Sequence, residues 1–263
     1  MNLYADLRWP AFAERYASDP RAFAKEVCGI GTSAKFSEAL PQLAEPECRL
    51  MLHNAGGQER QGVLLAAMAL WHIATTPDSM TMLSSPADSA SETNRAIAQL
   101  HKHMRTGPFY WLARGIKQRA SGWVADSGRR GGVIRLLKAS SRNPEALGGV
   151  HAERLLWLVE GGEQLPIECL GVIGGTMVYE QNALVIAHDW HVPEHIVQRV
   201  RDANWSLVDL AQSDTPTLAQ RQERHQCELR EFVELVAGKP LTSHQAAVLA
   251  NLVQRAPVAQ TLR

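Results

Sequence analysis

The segment that most constrains the fold is Gly62–Ile73 (GVLLAAMALWHI), which is apolar around almost the whole circumference of a helix. A helix of this kind has to be buried on all sides, because any exposed face would leave apolar surface in water. The chain has no run of about 18 apolar residues, the length that a membrane-spanning helix needs. The segment therefore predicts a helix at the centre of a layered globular fold, and we expect no membrane partner.

Short apolar runs on both sides of this helix predict buried strands, since they are bounded by turn residues and are too short for helices. They alternate with helical segments such as Ser91–Met104, where apolar residues recur at helical spacing. This order predicts an α/β fold with a mostly parallel sheet and helices on both faces. The runs are Arg49–His53, Thr81–Leu83, Leu155–Val159 and Leu184–Ala187, and Trp123–Val124 with Val133–Leu137 adds a hairpin.

Composition excludes several classes of protein. Lysine and arginine together number 27, as do aspartate and glutamate, so net charge alone selects no partner. The four cysteines are scattered without a C-x-x-C pair, which argues against a disulfide framework or a zinc site and indicates a reducing compartment. The N-terminal sequence lacks the apolar stretch of a signal peptide, and we expect a cytoplasmic protein.

A basic block lies between His101 and Arg142, where ten lysines and arginines accompany a single acid, Asp126. Such a block is a candidate surface for the phosphates of nucleic acid, and a solvated basic hairpin is the alternative. Trp111 and Trp123 flank basic residues and are candidates for stacking on bases. The residues that we expect to contact DNA are Arg129, Arg130, Arg135 and Lys138.

The turn between the first strand and the apolar helix, NAGGQERQG, lies where a phosphate-binding loop would lie. Gly56 and Gly57 could let the backbone wrap a phosphate, but such loops also need a lysine followed by serine or threonine. Gln61 and Gly62 stand at those two positions when the following helix is aligned. A tight strand-to-helix turn without nucleotide is therefore the alternative reading of this segment.

Several separated segments, in order, resemble the ATPase domain of tailed-phage large terminase subunits, the motors that pump DNA into procapsids. The resemblance runs from about Asp19 to Pro216 and implies a P-loop NTPase-like domain over residues 1–216. Its sharpest part is Asn143–Pro166, which is similar to the segment leading into the Walker B strand of that family. The segments are LLAAMALWHI with the following TMLSSPA, NPEALGGVHAERLLWLVEGGEQLP, and WSLVDLAQSDTP.

The departures from the family pattern fall on the groups that carry its chemistry. Besides Gln61 and Gly62 in the phosphate loop, Glu160 and Gly161 stand where the resemblance implies the Walker B Asp-Glu pair. Phosphoryl transfer depends on positioning and charge neutralisation, so the loss of these groups predicts little hydrolysis. We expect no cofactor. ATP and Mg²⁺ would bind only if neighbouring residues in the sequence replaced the missing lysine and carboxylates. Those neighbours are Arg60 for the positive charge, and Glu160 and Glu163 for the carboxylates.

Residues 217–263 read as a helical tail in place of the nuclease domain that the family carries, with apolar stripes to be buried on its own core or on a partner. His191 and His195 have a spacing that could bind a metal, but Pro193 favours a solvent-facing loop-to-helix junction, and we expect no metal site.

The first functional hypothesis is a terminase-like pseudo-ATPase of phage or prophage origin. It would bind DNA non-specifically or bind packaging subunits, such as other terminase subunits or the portal, in the bacterial host cell, and could form homo-oligomers. One alternative is a working packaging ATPase whose nuclease lies on another chain. The other alternative is an interference protein that mimics the motor subunit.

Overall fold

The structure is a computed structural model, and it describes residues 2–31, 34–53, 58–85, 92–125, 131–188, 203 and 205–210. The helices are α1 (Trp9–Tyr16), α2 (Pro20–Ala22), α3 (Ala34–Ala39), α4 (Gln58–Thr75), α5 (Glu92–Thr106), α6 (Tyr110–Gly115) and α7 (Ile167–Thr176). The strands are β1 (Arg49–His53), β2 (Met80–Ser85), β3 (Ile116–Arg119), β4 (Gly122–Ala125), β5 (Val133–Lys138), β6 (Leu155–Val159), β7 (Ala183–Ala187) and β8 (Ser206–Asp209).

One eight-stranded sheet in the order β3-β4-β5-β2-β6-β7-β1-β8 organises these elements. Six neighbouring strands of the sheet run parallel: β5, β2, β6, β7, β1 and β8. Strands β3 and β4 extend the sheet beyond β5 as an antiparallel pair. This confirms the predicted α/β class, the mostly parallel sheet and the hairpin of β4 and β5. The predicted tail, residues 217–263, lies outside the described residues and stays a prediction.

Two hydrophobic layers cover the sheet because alternate residues of its central strands point to opposite faces. On β6, Leu156 and Leu158 join the layer that contains α4, whereas Leu155, Trp157 and Val159 join the layer that contains α7. Helix α4 is buried along nearly its whole length, as its continuous apolar sequence predicted. Strands β6 and β7 are buried on both sides, which places their carboxyl ends at a fixed edge of the core.

The N-terminal segment is attached to the end of α4 by side-chain hydrogen bonds. The Tyr4 hydroxyl donates to the Ile73 carbonyl over 2.7 Å, and the Trp9 indole N–H donates to the Ala74 carbonyl over 2.9 Å. These carbonyls belong to the last turn of α4 and have no partner within the helix. The N-terminal segment therefore caps the central helix, and its own backbone is held in place by the same contacts.

The two tryptophans that the sequence offered as base-stacking platforms, Trp111 and Trp123, are both buried. Trp123 lies in the core layer of β4, and its indole N–H donates to Asn94 Oδ1 over 3.0 Å. The stacking prediction is wrong, because Trp123 is enclosed by the core, and Trp111 is buried with the Arg8 guanidinium 4.8 Å from its ring centroid, so neither ring is open to a nucleic acid base.

Candidate functional site

The carboxyl ends of the parallel strands meet at one edge of the sheet, where ligands bind in open α/β sheets. His53 ends β1, Ser85 ends β2, and Glu160 and His188 directly follow β6 and β7. Helices α4 and α5 begin at this edge, so their N-terminal amides point toward it. We call this edge the carboxyl-edge site; it comprises these strand ends, the residue Gly161 that follows Glu160, and the first residues of α4 and α5.

Glu160 is the acidic residue at the centre of this edge and is only 6% exposed. Its Oε1 accepts a hydrogen bond from the backbone N–H of Glu92 over 3.0 Å, and its Oε2 accepts from that of Thr93 over 3.3 Å. Glu92 and Thr93 are the first two residues of α5, whose amides would otherwise have no acceptor within the helix. The Glu160 carboxylate therefore serves as the N-terminal cap of a helix that lies 67 residues earlier in the chain.

Gln61 links the first turn of α4 to the same edge and is only 1% exposed. Its Oε1 accepts a hydrogen bond from the backbone N–H of Gly161 over 3.2 Å. Its Nε2 has no hydrogen-bond partner among the described residues. The side chain at the position that the resemblance aligns with the Walker A lysine is thus neutral and is directed to the protein's own backbone.

Gly62 allows the beginnings of α4 and α5 to approach closely. A Cβ atom added at Gly62 would lie 2.9 Å from the backbone carbonyl carbon of Glu92 and 3.1 Å from the backbone nitrogen of Thr93. A serine or threonine at this position would therefore push against the backbone of α5. The Mg²⁺-binding hydroxyl that the family carries here does not fit this packing.

Gly161 adopts left-handed backbone angles, with φ at 66° and ψ at 48°. This conformation costs an ordinary residue about 1–2 kcal/mol. A glutamate at this position, where the resemblance implies the residue that polarises the attacking water, would be strained. Gly161, like Gly62, is therefore required by the local backbone of this protein.

Two residues of this site that the sequence did not single out are His53 and Thr93, and His188 contributes in a way that was not expected. The rings of His53 and His188 are buried side by side with their centroids 4.9 Å apart. Strands β1 and β7 are neighbours in register, so residues at their ends are brought together. The apolar patterns of β1 and β7 predicted where each of the two strands ends, but no sequence signal indicated that these two ends are neighbours.

The structure tests the other predicted site residues only in part. Gly56, Gly57, Arg129 and Arg130 lie outside the described residues, as do the side chains of Arg60 and Glu163. Arg135 and Lys138 on β5 are both exposed. They are three positions apart on a strand, so their side chains leave opposite faces of the sheet.

The part of the chain that the structure describes offers neither a metal-binding cluster nor a membrane-spanning helix. His191 and His195 lie outside the described residues, and within the described part of the chain no group of three His, Cys, Asp or Glu side chains could hold a metal ion. Among the helices that the structure describes, none combines the length and the apolar character needed to cross a membrane.

A cavity of about 400 Å³ lies at the opposite, amino edge of the sheet. His72 of α4 lines it, and the imidazole Nδ1 is 2.9 Å from Thr81 Oγ1. Burial, and secondarily the positive charge of Arg154, lowers the pKa of His72 to about 3. The charged residues that line the cavity are Glu45, Arg154 and Glu180.

Comparison with known proteins shows likeness in fold without close similarity in sequence. No protein-family model matches the chain, and no curated protein matches it significantly. The large terminase of bacteriophage HK97 matches with a TM-score of 0.54 and 13% identity, over 92% of this chain and 52% of that chain. The large terminase of the thermophilic bacteriophage D6E matches with a TM-score of 0.51 and 13% identity, over 75% of this chain and 50% of that chain.

The likeness confirms the predicted fold resemblance to phage large terminases. The chain spans about half the length of the two terminases that it matches.

Proposed function

We propose that this protein is a terminase-like pseudo-ATPase that acts in viral DNA packaging by binding other packaging components rather than by hydrolysing ATP. The proposal combines the fold likeness with the state of the carboxyl-edge site. The observation that carries it is that Gln61, Gly62 and Gly161 each make a contact or adopt a conformation required by this fold, and the resemblance aligns each of them with a catalytic position of the family.

Glu160 gives further support, because its carboxylate is committed to the N-terminus of α5. Recruiting it to a metal ion would remove the acceptor for two backbone amides of that helix. Loss of one positioned catalytic group can reduce the rate of an enzyme by about 10²–10³-fold. With the lysine, the hydroxyl and the second carboxylate all missing, we expect no turnover above background.

The first test is titration of the full chain with ATP and Mg²⁺, by calorimetry and by phosphate release. The expected result is no hydrolysis above that of buffer. Mg²⁺-dependent turnover that is abolished by Glu160→Ala would overturn the proposal and favour a working ATPase. Glu153→Ala, which changes an exposed acid, is the matched control.

The second test concerns partners, which on this proposal are terminase subunits, the portal protein or non-specifically bound DNA. The full chain would be co-expressed with a large terminase, a small terminase or a portal protein from the same genome, each in turn. We expect one of these to co-elute with the chain on size exclusion. If none does and duplex DNA does not bind either, a role in packaging is contradicted.

A further inference from the structure

A second surface, away from the carboxyl-edge site, surrounds Leu7. Leu7 lies in the turn between the short 3-10 helix Leu3–Ala5 and α1, and it is 98% exposed. The turn is rigidly anchored, because Leu3 is buried and the Asp6 carbonyl accepts the Trp9 backbone N–H over 2.9 Å. An open depression of about 620 Å³ runs along the same turn. A large aliphatic side chain is therefore presented to solvent on a fixed support.

Aromatic and cationic groups surround Arg8, the residue that follows this leucine. The Arg8 guanidinium lies 4.8 Å from the centroid of the Trp111 ring and 5.5 Å from that of Tyr110. Arg114 also lies 5.5 Å from the Tyr110 centroid, and Tyr110 is 44% exposed. Because the stacked arginines hold this ring in place, a partner would lose little side-chain entropy in ordering it.

The charge of this surface is positive and is only partly neutralised. Asp6 pairs with Arg8 through two hydrogen bonds of 2.8 Å, and these lower the pKa of Asp6 to about 2. Arg114 is exposed and forms no ion pair with any residue that the structure describes. Strand β3, which follows α6 directly, adds the exposed Arg119.

We propose that Leu7, Tyr110 and Arg114 form a docking surface for an acidic protein segment that inserts an apolar side chain beside Leu7 and places carboxylates against Arg114. Tyrosine and arginine are the residue types that most often dominate protein interfaces, and an exposed leucine contributes through its burial. A nucleic acid fits less well, because its phosphates offer nothing for Leu7 to bury against, whereas an acidic protein segment supplies an apolar side chain as well as carboxylates.

The test is selection of a random peptide display library on the immobilised full chain. We expect enriched peptides to combine aspartate or glutamate with a large apolar residue. Leu7→Ser and Arg114→Glu should each weaken their binding by about tenfold or more, since burial of a leucine side chain is worth about that factor. Leu170→Ser, which changes an exposed leucine on α7, is the matched control and should bind normally.

Four results would overturn the proposal. Enriched peptides without an acidic bias would show that the occupant is not an acidic segment. Unchanged affinity of the peptides for both variants would show that this surface is not the binding site. Binding of short duplex DNA that depends on Leu7 and Arg114 would assign the surface to nucleic acid. Dissociation of a homo-oligomer by Leu7→Ser would make the occupant a second copy of the chain. None of these readings depends on ATP hydrolysis, so the proposal fails or stands independently of the pseudo-ATPase proposal.

Discussion

The side-chain oxygen of Gln61 accepts the backbone N–H of Gly161 over 3.2 Å, joining the first turn of α4 to the end of β6. Both groups are buried. The resemblance to terminases aligns these two positions with catalytic positions of that family, and in this protein they contact each other. The contribution of this internal contact is therefore measurable as stability.

Replacing Gln61 with leucine leaves the Gly161 N–H buried without an acceptor but also removes the buried Nε2, which has no partner among the described residues. Because these two effects oppose each other, the free energy of unfolding should fall by only about 1 kcal/mol. Urea denaturation measures this loss. Gln99→Leu, which changes an exposed glutamine of α5, should leave stability almost unchanged. Gln61→Lys should destabilise the fold and should not produce ATPase activity; a gain of activity would contradict our account of this site.

Replacing Glu160 with alanine should lower the free energy of unfolding by about 2 kcal/mol or more, since two amides at the start of α5 lose a charged acceptor. Hydrogen exchange should quicken at Glu92 and Thr93 in particular. Glu153→Ala removes an exposed carboxylate and serves as the control. If exchange at the two amides does not change, Glu160 does not cap the helix.

Stability should depend on pH through His72. Its pKa is lowered to about 3 in the folded protein, whereas an unfolded histidine titrates near about 6.5. As pH falls below about 6.5 the unfolded chain gains a proton that the folded chain does not bind, so stability falls until pH reaches the folded pKa. The slope contributed by one such group is at most about 1.4 kcal/mol per pH unit.

The measurement is urea denaturation at several pH values between about 7 and about 4. His72→Gln should flatten the slope, although it can lower stability overall. His151→Gln, which removes an exposed imidazole, should retain the wild-type slope. An unchanged slope in His72→Gln would mean that other groups cause the acid sensitivity.

Binding to duplex DNA, if the basic block is a phosphate surface, should be weak and should fall steeply with salt, because each neutralised phosphate releases counterions. Alanine at Arg129, Arg130, Arg135 and Lys138 should reduce the slope of log affinity against log salt concentration. Alanine at Arg21 and Lys25, which are exposed bases outside the block, is the matched control. Equal slopes for the two variants would leave the block a solvated surface.

Alanine substitutions at two glycines with positive φ compare the cost of backbone strain alone with the cost of strain plus steric overlap. Gly149 has a φ of +71° and open space around the position of a Cβ, so Gly149→Ala should cost about 1–2 kcal/mol. Gly122 has a φ of +139°, and a Cβ there would overlap the Ile134 carbonyl on β5. Gly122→Ala should therefore destabilise the protein more than Gly149→Ala in thermal melts. If both variants lose the same amount of thermal stability, β4 and β5 must separate easily enough to accommodate the added Cβ.

The sequence predicted the elements whose patterns are local. The continuous apolar runs of α4, β6 and β7 have no other stable location than the core, and the structure places them there. Strand β3 was missed because three of its four residues are exposed and polar. It forms a strand only because β4 offers it a partner.

The internal contacts of the carboxyl-edge site could not be predicted in the same way. Glu160 and Thr93 are 67 positions apart, and Gln61 and Gly161 are 100 apart. The residue types at these positions were visible in the sequence. The contact of Glu160 depends on how β2 and β6 pair, and that of Gln61 depends on how α4 packs against β6. For the same reason the burial of Trp123 was not foreseen, since its basic neighbours indicated a surface.

The position of β1 between β7 and β8 has a consequence for synthesis of the protein. The partners of Arg49–His53 are residues 184–187 on one side and 206–209 on the other. While the ribosome makes the intervening chain, an apolar strand has both hydrogen-bonding edges open, which is the condition under which strands pair with other molecules. Long-range pairing of this kind also slows folding. Yield in cells should therefore depend more on chaperone capacity during translation than on the stability of the finished fold.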